Sequence, residues 1–373
     1  MKVAFRVDAS QEIGSGHVMR CLTLADELAA QGGQCLFISR QHTGHLFNAI
    51  QERGHKLSCL PSTLKKTDAI VETAYTLSGP DIEPLTHATW LRCDWQTDAA
   101  QTVAILAAAP PDWLVVDHYA LDHRWESALH RYTKRLMVID DLADRAHKCD
   151  MLLDQNLGRQ PRDYSSLVPA NCQILVGPYY ALLRPEFKAL RQQSLDRRKA
   201  RPSLSQIFIS MGGVDQPNAT GQVLRALKSC SLPVACRVTV VMGLTAPWLQ
   251  NVQELAANMP WKTEVLVNIH DMAERMADSD LAIGAAGSTS WERCCLGLPT
   301  LIVVLAKNQM QSAQALHEAK AVGLLGTLSD IAKKLPIAID EVLGTGSEMR
   351  MSNSASAIAD GIGTQRVSMA MEI

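Results

Sequence analysis

The sequence predicts an α/β protein made of two doubly wound domains, and three observations carry that prediction. Short apolar runs rich in Val, Ile and Leu alternate with stretches of helical period, the pattern of parallel sheets covered on both faces. At 373 residues and 47% hydrophobic content the chain exceeds what one core usually organises. Each half, moreover, opens with a strand, a glycine-containing loop and a helix.

In the first half the expected strands are Lys2 to Val7, Gln34 to Ser39, Trp113 to Val116 and Leu136 to Ile139. The clearest helix follows the opening loop: Val18, Cys21, Leu22, Ala25, Leu28 and Ala29 recur three or four apart, and Gly32 and Gly33 end it. Residues 60–96, with Pro61, Pro80 and Pro84 and few paired apolar positions, read largely as loop. From Gly177 to Arg201 an aromatic turn and a strongly charged helix mark the boundary between domains 1–200 and 201–350. The second half gives strands at Gln206 to Ser210, Arg237 to Met242, Thr263 to Val267, Asp280 to Ile283 and Thr300 to Leu305. Its expected helices begin near Pro217, at Asp271 and at Ser288. Two such domains facing each other leave a cleft between the carboxyl ends of their sheets, where ligands of open α/β sheets bind.

Composition narrows the ligand. Lys and Arg total 36 against 38 Asp and Glu, a net charge of -2, so no global field draws nucleic acid or an acidic membrane. The ten cysteines show no CxxC pair and no His/Cys cluster at ligand spacing, which points to reduced thiols and no metal. The first residues lack the apolar run of a signal peptide, and no stretch reaches the length of a membrane span. The expectation is a cytoplasmic protein with a small-molecule ligand.

The loop "DASQEIGSGHVMRC" supplies Gly14 and Gly16, the first two glycines of a dinucleotide fingerprint. Met19 stands where the third is needed, and the second strand ends in Ser39, Arg40 and Gln41 rather than in an acid for a ribose, which argues against NAD. Such a turn still brings helix N–H groups close to an anion. His17 then begins the helix, where the dipole favours a neutral ring able to accept a proton; it reads equally well as a histidine that merely bonds the loop. "WLVVDHYALD" delivers Asp117, His118 and Tyr119 at a strand's carboxyl end, where Asp117 either orients a base or caps a helix. "VIDDLADR" repeats the arrangement with Asp140 and Asp141.

In the second half "SMGGVDQPNAT" sets Gly212 and Gly213 after a strand, a phosphate-sized turn or a tight connection, with no GK[ST] to make it a P-loop. "GAAGSTSWE" leads from Gly284 into a helix, and Gly287, Ser288 and Thr289 suit phosphate oxygens. Glu292, one turn on, suits the two hydroxyls of a ribose. Its plain alternative is a capped helix with a solvated glutamate. Asn308 of "LAKNQ" follows the next strand, as a sugar contact or a cap.

Taken in order, "RVDASQEIGSGHVMRCLTLADEL", "VVDHYALD", "GPYYALLRPEF", "SMGGVD", "GSTSWERCCLGLPTL", "KNQ" and "DGIGTQRV" resemble the UDP-2,4-diacetamido-2,4,6-trideoxy-β-L-altropyranose hydrolase family of bacterial pseudaminic acid synthesis. That family is similar to the inverting GT-B glycosyltransferases. The resemblance implies a GT-B-like fold, UDP on the second domain, and a C-terminal segment, 351–373, that returns to the first. It implies that His17 activates water and that Tyr119 is a further active-site residue. Ile269, in "NIHDM", would offer its backbone to uracil and Glu292 would hold the ribose. Arg20 and Asp117 join Gly14, Gly16, Gly212, Gly213, Gly287, Ser288, Thr289 and Asn308 as expected substrate-binding residues. No cofactor is implied. Water would attack the anomeric carbon with inversion, opposite a diphosphate that leaves readily. A UDP-sugar glycosyltransferase of the same fold and a non-catalytic UDP-sugar binder are the competing readings.

Overall fold

The computed structural model describes residues 1–62, 85–200 and 203–372. They form two compact units: residues 1–155, 159–180 and 367–373, and residues 156–158 and 181–366.

Among the described residues the first unit has seven strands, all parallel: β1 (Lys2–Val7), β2 (Gln34–Arg40), β3 (Lys56–Leu60), β4 (Trp113–Asp117), β5 (Arg135–Ile139), β6 (Met151–Asp154) and β7 (Gln173–Val176). Their order is β3-β2-β1-β4-β5-β6-β7. The four expected strands are present. The other three lay below the reach of the sequence pattern: β3 buries only Leu60 fully, and β6 and β7 are four residues each. Helix α1 (Gly16–Ala30) buries Val18, Cys21, Leu22, Ala25 and Leu28, while Ala29 is exposed. It stops where Gly33 N–H bonds Leu28 O at 2.8 Å; a Cβ on Gly33 would stand 2.7 Å from that oxygen, so the close approach requires glycine.

Helices α2 (Phe47–Glu52), α3 (Trp95–Leu106) and α4 (His123–Leu129) complete this unit's α-helices among the described residues before 155. The loop expected over 60–96 is corrected at both ends. Leu60 closes β3, a 3-10 turn spans Ala88–Leu91, and α3 begins at Trp95, with Asp94 accepting from Thr97 N–H at 2.6 Å. Residues 63–84 of that expectation lie outside the described residues. The Asp94 cap was a missed helix start.

The second unit repeats the plan with β8 (Gln206–Ser210), β9 (Arg237–Met242), β10 (Lys262–Val267), β11 (Leu281–Ala285), β12 (Thr300–Val304) and β13 (Gly323–Thr327), in the parallel order β10-β9-β8-β11-β12-β13. Successive strand residues serve opposite faces. Ile207, Ile209, Leu281, Ile283, Leu301 and Val303 pack one way, whereas Phe208, Ala282, Ile302 and Val304 pack the other. Burial on both faces explains the near-continuous apolar strands.

Its helices are α5 (Pro185–Lys199), α6 (Ala219–Leu227), α7 (Leu249–Ala257), α8 (Met272–Asp278), α9 (Thr289–Cys295), α10 (Met310–Glu318), α11 (Ile331–Thr345) and α12 (Ser347–Ser356). A last helix, α13 (Gly363–Glu372), carries the chain from the second unit into the residues that group with the first. There Trp113 Nε1 donates to Met371 O at 2.8 Å and Gln31 to Ser368 Oγ at 3.1 Å. Among the described residues no helix is long and apolar enough to cross a membrane.

Candidate active site

Both sheets change winding direction between their first and fourth strands, β1/β4 and β8/β11, the switch point at whose carboxyl ends ligands of open α/β sheets bind. In the first unit β1 and β4 pair with Val7 opposite Asp117, which brings Asp117 beside the start of α1, a hundred residues away in sequence. His17 Nδ1 lies 2.6 Å from Asp117 Oδ1. With Nδ1–H donated to a carboxylate, the free lone pair is on Nε2, which has no hydrogen-bond partner among the described residues. Arg20 donates Nε and a terminal nitrogen to the same carboxylate at 2.6 and 2.7 Å and reaches Asp141 at 2.8 Å. The Arg20 and His17 partners hold Asp117, itself buried, well below the usual carboxylate range.

Asp117 therefore serves His17 and Arg20, and the cap of α4 is supplied by Asp122, which accepts from Arg124 N–H at 3.0 Å. Tyr119 donates to Asp141 at 2.6 Å, and its ring meets the His17 ring edge-on at 4.7 Å. Burial pushes the Tyr119 phenol well up, so it stays a neutral donor. His87 and Trp90 line the other side of Tyr119, at 5.4 and 5.7 Å between ring centres. Sequence reading missed both, because they lie in the stretch taken for loop.

Gly14, at φ +80, is a turn residue whose N–H goes to Ser10 O at 2.9 Å, and Gly16 is the first residue of α1. Beneath this loop lies a buried charge network. Arg6 pairs with Asp8 and Asp98, each at 2.7 Å, and Arg40 pairs with Asp98 at 2.6 Å. His42 and His118 approach Asp8 at 3.3 and 3.2 Å. Arg40, which broke the dinucleotide pattern, is thus a core ion-pair partner.

In the second unit the expected residues gather at the carboxyl edge. Gly212, at φ +93, and Gly213 follow β8. The N–H groups that open α6 are already taken, by Asp215 from Ala219 and Thr220 at 2.8 Å each and by Asn218 from Gly221 at 3.1 Å. An anion at this turn would meet the glycine backbone rather than the helix end. After β11 come half-buried Gly287, exposed Ser288 and half-buried Thr289; Ser288 makes no side-chain cap bond.

Glu292 faces Arg184 at 3.7 Å through Oε1, while its buried Oε2 has no hydrogen-bond partner. Burial raises its carboxyl above the ordinary range. Asn308 is exposed on the 3-10 turn Lys307–Gln309, and its neighbour Gln309 accepts from Leu305 N–H at 2.9 Å, fixing the turn. Ile269 follows β10 and Asn268, at φ +51, and its side chain packs on the core of α8 and α9.

Residues 222–364 match the glycosyltransferase family 28 C-terminal domain. The fold is GT-B. The crystal structure of MurG from Acinetobacter baumannii superposes with a TM-score of 0.68 at 16% identity, covering 100% of this chain and 99% of that one.

The resemblance read from the motifs also holds. The chain is 26% identical over 313 residues to the UDP-2,4-diacetamido-2,4,6-trideoxy-beta-L-altropyranose hydrolase of Campylobacter jejuni, covering 84% of this chain and 95% of that enzyme. It is 25% identical over 315 residues to the uncharacterized protein MJ1062 of Methanocaldococcus jannaschii, covering 83% of this chain but spanning only 57% of that longer protein.

Proposed function

We propose that this chain hydrolyses UDP-2,4-diacetamido-2,4,6-trideoxy-β-L-altropyranose to UDP and 2,4-diacetamido-2,4,6-trideoxy-L-altrose with inversion, in pseudaminic acid biosynthesis. The observation that carries the reading is the His17–Asp117 pair, held at 2.6 Å with Nε2 unengaged. Likeness to the Campylobacter jejuni hydrolase, over nearly all of that enzyme, supports the substrate class.

In this reading the first unit supplies the base and the second the nucleotide site. A water gives its proton to His17 Nε2 as its oxygen bonds the anomeric carbon. The bond from that carbon to the diphosphate oxygen breaks, and its electron pair leaves with UDP. Asp117 stabilises the imidazolium that results, as a carboxylate does behind a catalytic histidine. Diphosphate is a good leaving group, so the reading calls on no protein acid. Tyr119 and its partner Asp141 border the base, and Tyr119 is the second active-site residue. Arg20 holds Asp117 in place, and Gly14 and Gly16 shape the turn that presents His17. In the second unit, the unpartnered Oε2 of Glu292 supports a ribose hydroxyl contact. Gly212, Gly213, Gly287, Ser288 and Thr289 are proposed diphosphate contacts, Ile269 a base contact and Asn308 a sugar contact.

The test is anomeric-proton NMR of the purified protein with the UDP-sugar. Free sugar of inverted configuration and UDP should appear without any acceptor, and His17→Asn should lower turnover about 10²- to 10⁴-fold. The match to a glycosyltransferase family 28 domain favours one rival, a transferase. UDP release that begins only when an acceptor alcohol is added would decide for it. Binding without turnover in the wild type would decide for a non-catalytic binder.

A further inference from the structure

Arg293, in the second unit, is 2% exposed and without a direct ion pair among the described residues, its nearest acid Glu292 acting on it only at longer range. One terminal nitrogen donates to Ala285 O at 2.7 Å and Ser290 Oγ at 2.9 Å, while Nε and Nη1 are buried without partners. Its neighbour Glu292 turns instead to Arg184. Room for the guanidinium comes from Gly284: a Cβ there would stand 1.8 Å from Nη1 and 2.9 Å from Ser210 O. The cation is therefore wedged at the β8/β11 step, between the residues that flank the loop 286–288.

We propose that Arg293 is a positioning residue that gives this loop its preference for a dianionic diphosphate, supplying fixed positive charge without touching the ligand. This rests on the reading of the second unit as a nucleotide site. An isolated ion in a protein interior is disfavoured by its lost hydration, and a nearby anion offsets that loss. Burial pushes the guanidinium down to about 10, and neighbouring Cys294 and Glu292 offset only part of that. Its bonds to Ala285 and Ser290 also hold both ends of the loop, so charge and loop shape are set by one side chain. In surroundings of low effective dielectric, one charge several ångströms from a diphosphate changes affinity by about tenfold or more.

The experiment compares UDP and uridine binding by calorimetry in the full chain. Arg293→Met, which keeps length and loses charge, should weaken UDP about tenfold or more and leave uridine within about twofold. Arg293→Lys, whose buried amine is more easily neutralised, should fall between Arg293→Met and the wild type in the ratio of the two affinities, and should approach the wild type measured at the same pH as the pH is lowered and the amine is charged. Equal losses for UDP and uridine in Arg293→Met, or no loss of UDP, overturn the proposal. If Arg293→Met fails to fold, Arg293→Lys decides: a selective loss of UDP that recovers toward the wild type as the pH is lowered supports the charge role, and a ratio equal to the wild type's at every pH, or a loss shared equally by uridine, overturns it. A wild type that binds neither ligand overturns the nucleotide reading and this role with it, whereas a wild type that binds both isolates the role of Arg293.

Discussion

A carboxylate behind a histidine can act by charge or by choosing the tautomer, and Asp117 is placed for both. Asp117→Asn would present an amide to His17 Nδ1 and remove the charge that stabilises the imidazolium. Turnover should fall about 10²- to 10⁴-fold with KM nearly unchanged, measured by steady-state UDP release. A matched fall in substrate affinity would instead mean that Asp117 binds substrate. At this scale the sequence displayed His17, Tyr119 and Glu292, because each sits in a short motif whose neighbours declare it. For Asp117 the sequence left two readings open, orienting a base and capping a helix. Its cap-like position was plain, but its partners lie 97 and 100 residues away and depend on which strands become neighbours. His87 and Trp90 were hidden for a related reason: a 3-10 turn has too little periodicity to announce itself.

Among the elements, α5 shows how charge misleads a one-dimensional reading. Its run of arginines resembles a solvated connector, yet Arg198 is buried and donates to Leu296 O at 3.1 Å, Ser279 O at 2.8 Å and Met276 O at 3.2 Å. Arg191 bonds Cys295 O, Ala359 O and Ser356 O. These carbonyls lie at or just past the C-terminal ends of α8, α9 and α12, which carry orphan acceptors and partial negative charge. The helix is a clamp on three others. Arg198→Ala removes a hydrogen bond from each of three carbonyls, of which Leu296 O keeps Ser194 and Ser279 O keeps Arg197, and should cost about 1–3 kcal/mol, read as a lower denaturant midpoint in chemical unfolding. An unchanged midpoint would show that water replaces the guanidinium at no loss. Strands of five or six apolar residues were legible because burial on both faces leaves continuous runs; β6, with four residues, falls below that threshold.

For the molecule as a whole, the first unit is organised around buried ionised carboxylates. Asp8, Asp98 and Asp117 are held below the ordinary range chiefly by arginines that outweigh their burial, and Asp140 is lowered to about 2 beside Arg145. Carboxylates whose pKa is lower in the folded state stabilise the fold above their unfolded value near 3.9, and that stability drains away as pH falls through the folded value. Unfolding free energy should therefore hold down to about pH 4 and decline toward pH 2, Asp140 alone accounting for roughly 2 kcal/mol. Urea melts across that range test it, and Arg145→Met should shrink the Asp140 share. A flat profile would show that these acids are no better held than in the unfolded chain. The alternation of strand and helix made the parallel sheets legible at this scale. Strand order was not, since it rests on pairings such as β1 with β4 that no local pattern encodes.

The pairing of Val7 with Asp117 has one more consequence. Side chains on a strand alternate faces, so a slip of one residue between β1 and β4 would turn the carboxylate away from the imidazole while leaving secondary structure intact. The chain can thus be fully helical and stranded and still chemically inert. Competence is a property of long-range register, acquired only when segments a hundred residues apart have found the right partner, and a trace of mispaired protein would be silent rather than promiscuous.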